Sequence, residues 1–142
     1  MDSSPEKTII TPELKEKLRA LTAYLVKHLG IQELPRLKFI SSKKNADDML
    51  GITGYYDNEA KQIVIYITDR HPKDVLRSYS HEMVHRLQDE HGNLHPHSND
   101  PQYAQHDQHL RKMEMEAYLL GNILFRDFCD AYKYKSKERD KI

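Results

Sequence analysis

The chain has one cysteine, Cys129, among its 142 residues. No disulfide can close within it, and a metal centre built on several thiolates is excluded. A single thiol also fits a reducing compartment. Net charge is missing as well, since 22 Lys and Arg balance 22 Asp and Glu. No field of one sign therefore argues for nucleic acid or an anionic membrane as partner. Long apolar runs are absent too. The opening residues, Met1-Asp2-Ser3-Ser4-Pro5-Glu6-Lys7, hold no apolar core for a secretory signal, and no run is long enough to span a bilayer. The expectation is a cytoplasmic protein, full length as synthesised, with no membrane association. Internal repeats are also lacking, so a solenoid is not expected.

What is present suits a folded globular chain: 38% hydrophobic and 31% charged residues. This length supports one domain, 1–142, with a single modest core. Residues 1–10 and 133–142 are expected to fray. The compositional anomaly is histidine, nine in all, mostly between His71 and His109.

Element signals run along the whole chain. Thr11-Pro12-Glu13 reads as N-cap, N1 proline and first-turn acid. Leu14, Leu18, Leu21, Leu25 and Leu29 then form one helical stripe, stopped by Gly30. Leu37–Ile40 is a short strand candidate and Ser41–Asp48 a polar loop. Ile52–Tyr56 and Lys61–Ile67 read as a hairpin around Asp57-Asn58-Glu59-Ala60. Ile63, Ile65 and Ile67 share one face of the second strand, which reads either as an edge open to an extended peptide or as a strand covered by helices. Pro72 starts another helix, with Leu76, Tyr79, Met83 and Leu87 as its buried stripe and Gly92 near its end. Asn93–Gln108 reads as a histidine-rich loop. A last helix, from about Asp107 to Tyr132, carries the stripe Leu110, Met113, Ala117, Leu120, Leu124 and Phe128. The fold class is therefore α+β.

The chemistry sits in Ser80-His81-Glu82-Met83-Val84-His85. Residues four apart share a helix face, so His81 and His85 can grip one metal ion, and Glu82 can reach a water beside it. This is the H-E-x-x-H arrangement of zinc peptidases, two imidazoles and a carboxylate general base. All three lie off the apolar stripe and can face a cleft.

A catalytic zinc site takes a third protein ligand. His91 matches the outer spacing of the pattern H-E-x-x-H-x-x-G-x-x-H, which needs a glycine to turn the chain back; that position is Gln88 here. A helix continuing past His85 carries His91 away, leaving it a helix C-terminal residue. The other source is the last helix, Met113-Glu114-Met115-Glu116-Ala117-Tyr118. At about 100° per residue, Glu114 and Glu116 flank the apolar stripe at similar angles, so periodicity leaves both open. His95, His97, His106, His109 and Tyr103 fall near the inferred cleft, and one of them could stabilise an oxyanion; a solvated loop is the simpler reading of each.

H-E-x-x-H followed by an acid three residues before a small one resembles the gluzincins. The order of elements resembles their minimal members, which include the ImmA/IrrE-like peptidases and short metallopeptidases of bacteriophage and bacterial genomes. The likeness covers Asp57 to Phe128. It implies a minimal zincin-like fold with one Zn²⁺ per chain, held by His81, His85 and Glu114, and with Glu82 as catalytic base. In this resemblance the Glu-x-x-Ala spacing favours Glu114 over Glu116. Tyr118 stands where the family has an Asp or Asn that orients a zinc-bound histidine.

The implied activity is hydrolysis of a peptide or protein substrate by a metal-activated water, in the cytoplasm (the host's, if phage-encoded). One alternative is a zinc-binding regulatory or interaction protein of the same fold with little proteolysis. Another is hydrolysis of a non-peptide amide or ester. An intact Glu82 argues for an enzyme, because a structural zinc has no use for a base. Substrate identity and oligomeric state have no signal in these residues.

Overall fold

The computed structural model describes the backbone of residues 10–47, 53–94 and 103–140, with side chains at 10–47, 53–94 and 108–133. Helix α1 spans Pro12–Leu29; the Thr11 hydroxyl accepts from Leu14 N at 3.1 Å, and Gly30 closes it with φ +76°. That left-handed turn is what glycine permits without strain. Leu14, Leu21 and Leu25 are buried, with Leu18 packed beside them.

Strand β1 (Arg36–Ile40) follows, then a one-turn helix α2 (Lys43–Asp47) within the stretch expected to be loop. Ser42 starts α2, its Oγ accepting from Asn45 N at 3.1 Å. So short a helix leaves no periodic pattern to read. β2 (Gly54–Asp57) and β3 (Gln62–Tyr66) form the hairpin. The Asp57 carboxylate accepts from Glu59 N and Ala60 N, both at 3.0 Å, and Lys61 takes the positive φ of 54°.

The sheet order is β1-β3-β2, with β1 parallel and β2 antiparallel to β3. This overturns the edge reading of the isoleucine-rich strand. β3 is central because β1 returns to pair along its second side, and Ile63, Val64 and Ile65 are all buried. The edges are β1 and β2.

Helix α3 (Pro72–Glu90) crosses the middle of the molecule, packed against α1, β2, β3 and the last helix, α4 (Tyr103–Asp140). The His71 imidazole caps it, Nδ1 accepting from Lys73 N at 3.0 Å. Gly92, at φ +74°, turns the chain after its end. Tyr79 and Thr22 hydroxyls meet at 2.8 Å, joining α3 to α1. The Arg86 guanidinium, itself buried, donates to Glu33 O at 3.0 Å and to the Tyr56 hydroxyl at 3.0 Å. Tyr56 in turn donates to Asp89 at 2.6 Å, which fastens β2 to the end of α3.

α4 is longer at both ends than its apolar pattern suggested, running through the residues expected to fray from 133 to 140. Among its described side chains it buries Ala117, Gly121, Phe125 and Phe128, whereas Leu110 is exposed. The contact stripe is thus rotated a little from the aliphatic one. Among the described residues there are four helices and three strands, a mixed α+β arrangement. No helix among them is long and apolar enough to cross a membrane.

Candidate metal centre

Three elements surround the H-E-x-x-H residues: α3 itself, α4 and the edge strand β2. Helical spacing puts His81 and His85 on one face of α3, their ring centroids 5.0 Å apart. Glu114 reaches them from α4, 33 residues away from His81 in the chain. Its Oε1 lies 2.6 Å from His81 Nε2, and its Oε2 lies 3.1 Å from His85 Nε2. One ligand atom from each of these three residues falls within 4.8 Å of the others.

Glu116 does not join this group. Its carboxylate turns instead to Gln88, accepting from Nε2 at 2.8 Å. Of the two acids that periodicity left open, Glu114 is the one beside the histidines. His91 caps the end of α3 and is exposed, outside the group. His109 contacts Asn93 O at 2.7 Å. His95 and His97 lie outside the described residues, as do the side chains of Tyr103 and His106.

Close approach of α4 to α3 brings Glu114 within reach. A Cβ added at Gly121 would sit 3.0 Å from His81 Cα and 3.2 Å from His81 N. Both are backbone atoms that cannot rotate away, so any side chain there forces the helices apart. Ala117, one turn earlier, is wholly buried in the same seam. An interior glycine costs a helix about 1 kcal/mol relative to alanine, so Gly121 is itself a readable sign of close packing.

Gln88 sets the state of His85. Its Nε2 donates both to Met113 O at 2.9 Å and to Glu116 Oε1 at 2.8 Å. Those two bonds orient the amide, leaving Gln88 Oε1 to face His85 Nδ1 at 2.8 Å. An oxygen there accepts, so His85 carries its proton on Nδ1 and Nε2 points to Glu114. Tyr118, the residue at the orienting position by resemblance, is exposed and makes no hydrogen bond to either histidine among the described residues. Gln88 takes that part, one turn along α3 from His85; the i, i+3 spacing was its only sequence signal.

With His85 in that tautomer, a carboxylate oxygen faces an imidazole lone pair. Two acceptors in contact call for positive charge between them, either a second proton on the ring or a cation. Burial alone would lower the His85 pKa; hydrogen bonds to Glu114 and Gln88 outweigh it and the net shift is upward. The same histidine contacts, from His81 first and His85 next, hold the Glu114 carboxyl far below the usual range. Two imidazoles and one carboxylate form a donor set suited to zinc, and these residues fit such an ion.

Glu82 is buried beside this group, and burial pushes its pKa up, opposed by the His85 and His81 imidazoles. It lines two cavities that open on either side of the site, about 440 Å³ on the Ser78 and Asn122 side and about 320 Å³ on the Leu94 and Leu110 side. Gly54 of the edge strand lines both as well. Open space therefore lies directly against the carboxylate.

Comparison with protein-family models, with curated proteins and with solved structures gives no match to this chain.

Proposed function

We propose that this chain is a zinc-dependent metallopeptidase of the minimal gluzincin type, with a zincin-like arrangement of its helices and sheet. The observation that supports it best is the convergence of His81, His85 and Glu114, from two helices distant in sequence, beside a buried Glu82 open to two cavities.

In this reading His81, His85 and Glu114 hold one Zn²⁺. Bound there, zinc supplies a Lewis acid that polarises a carbonyl and makes water a better nucleophile near neutral pH. Gln88 keeps His85 Nε2 free to ligate by holding the proton on Nδ1. Glu82 accepts a proton from the attacking water and returns it to the leaving amine. Its burial serves that role, because a raised pKa brings the carboxylate closer to the working pH. The substrate is a peptide or protein segment laid between the two cavities along β2, in the cytoplasm.

The test combines metal content with turnover. Purified wild type and Glu116→Ala should each carry one zinc, and Glu114→Ala should lose it. Glu82→Gln should keep zinc while hydrolysis of unfolded protein falls by about 10²- to 10⁴-fold. Full hydrolysis in Glu82→Gln would falsify the mechanism. Stable zinc without chelator-sensitive cleavage of any peptide or protein would favour a regulatory role instead.

A further inference from the structure

The two approaches to the site differ in charge. Beyond the cavity that touches His81, Arg77, Tyr118 and Asn122 also line a second cavity of about 560 Å³, so the two form one continuous groove between α3 and α4. Lys73, Arg77, Arg126 and Lys133 border this outer part, against a single acid, Asp130. In a chain of zero net charge, cations outnumber acids along this groove even with Arg77 paired to Asp74, which gives a local positive potential. Lys73, Arg126 and Lys133 enter no ion pair among the described residues. Arg77 is held in place, its guanidinium bonded to Asp74 at 2.6 Å and lying 5.5 Å from the Phe125 ring centroid.

The opposite approach has another character. Beside Glu82, His85 and Glu114 it is lined by Tyr55, Leu94, Leu110 and Met113, and by no lysine or arginine among the described residues. A ligand crossing Glu82 thus passes from an apolar hollow into a basic channel.

We propose that the groove leading from His81 past Arg77 to Lys73 and Arg126 binds an acidic stretch of polypeptide, so that the protein selects segments with an apolar residue on one side of Glu82 and Asp or Glu residues on the other. The proposal rests on the peptidase reading for what happens to the segment, but not for its binding. An extended peptide is the occupant that fits. The groove continues a cavity bordered by the edge strand, and its cations are spread along two helices rather than gathered around one point, matching a line of carboxylates.

Binding and cleavage can be tested apart. Fluorescein-labelled peptides, Ala-Leu-Ala joined to a run of Glu, of Gln or of Lys in both orientations, are titrated into the full chain with chelator present and read by anisotropy. The Glu peptide should bind about tenfold or more tightly than the Gln peptide, and the advantage should shrink as salt rises. Reversing charge in Lys73→Glu with Arg126→Glu, both exposed positions, should transfer the preference to the Lys peptide while the thermal transition stays in place. Equal binding of Glu and Gln peptides, or a preference unmoved by the reversal, overturns the proposal. Tighter binding of single-stranded DNA than of the Glu peptide overturns it too. If the Glu peptide binds as expected but zinc-loaded protein cleaves nothing, the groove assignment stands and the peptidase reading fails.

Discussion

Helices α3 and α4 contribute unequally to the centre they share. α3 is enclosed by α1, the sheet and α4, and ten of its residues are buried, among them Glu82, His85, Arg86 and Gln88. α4 buries a narrow seam and turns Met115, Tyr118, Leu119 and Ile123 outward. His81, Glu82 and His85 therefore sit on a helix whose rotation is fixed from several sides. Glu114 reaches them only as closely as a more exposed helix docks. The weak point of the site is therefore the α3–α4 seam rather than the motif.

The seam is most sensitive at Gly121. Gly121→Val puts a branched side chain against His81 backbone atoms, which have no rotamer to yield. It should destabilise the fold by about 1–3 kcal/mol and abolish zinc retention through dialysis, although no ligand is changed. Thermal unfolding and metal analysis check both. A variant that keeps its zinc would mean the helices can separate without moving Glu114.

A smaller effect is expected one step out from the His81, His85 and Glu114 group. Gln88→Leu leaves His85 and Glu114 intact but removes the acceptor on His85 Nδ1 and the bonds to Met113 and Glu116. Zinc affinity should fall about 10- to 100-fold in a competition titration. Unchanged affinity would show that packing alone orients the ring.

Legibility in the sequence divides along the same line. The apolar stripe of α1 is plain because its leucines meet the core at helical spacing and its ends are capped locally, by Thr11 and Gly30. His81, Glu82 and His85 stand out for the same reason: one helix aligns them. Glu114 joins them through a contact between residues 33 apart, and periodicity on α4 alone cannot say which flank meets a partner. Likewise the central place of β3 depends on β1 crossing over to pair in parallel, a long-range choice with no local signature. Gln88 was hidden because it occupies a position where another pattern requires glycine. The basic groove was hidden because its cations come from both helices and vanish in a net charge of zero.

The link between β2 and α3 offers a pH-dependent test. Burial is the main cause raising the Tyr56 pKa from 10.0 to about 12, with Asp89 adding to it and Arg86 opposing. Folding thus favours the neutral phenol. Its contribution is whole below pH 10 and is lost as pH rises from 10 towards 12, because the unfolded chain releases the proton first. Tyr56→Phe should cost about 1 kcal/mol at neutral pH and flatten the loss of stability above pH 10, measured by urea unfolding across that range. An identical alkaline slope in both proteins would place the sensitive group elsewhere.

The smallest effect belongs to the outward face of α4. Met115 is 64% exposed and lies one residue from Glu114, yet it points away from the seam that holds the site. Met115→Ser should change stability by no more than about 0.5 kcal/mol and leave zinc content unaltered. Set beside Gly121→Val on the same helix, it separates two readings of α4. If distance along the chain from the ligand governed the site, Met115 would matter more than Gly121, seven residues away. If docking governs it, the order reverses, because Gly121 touches His81 and Met115 faces water.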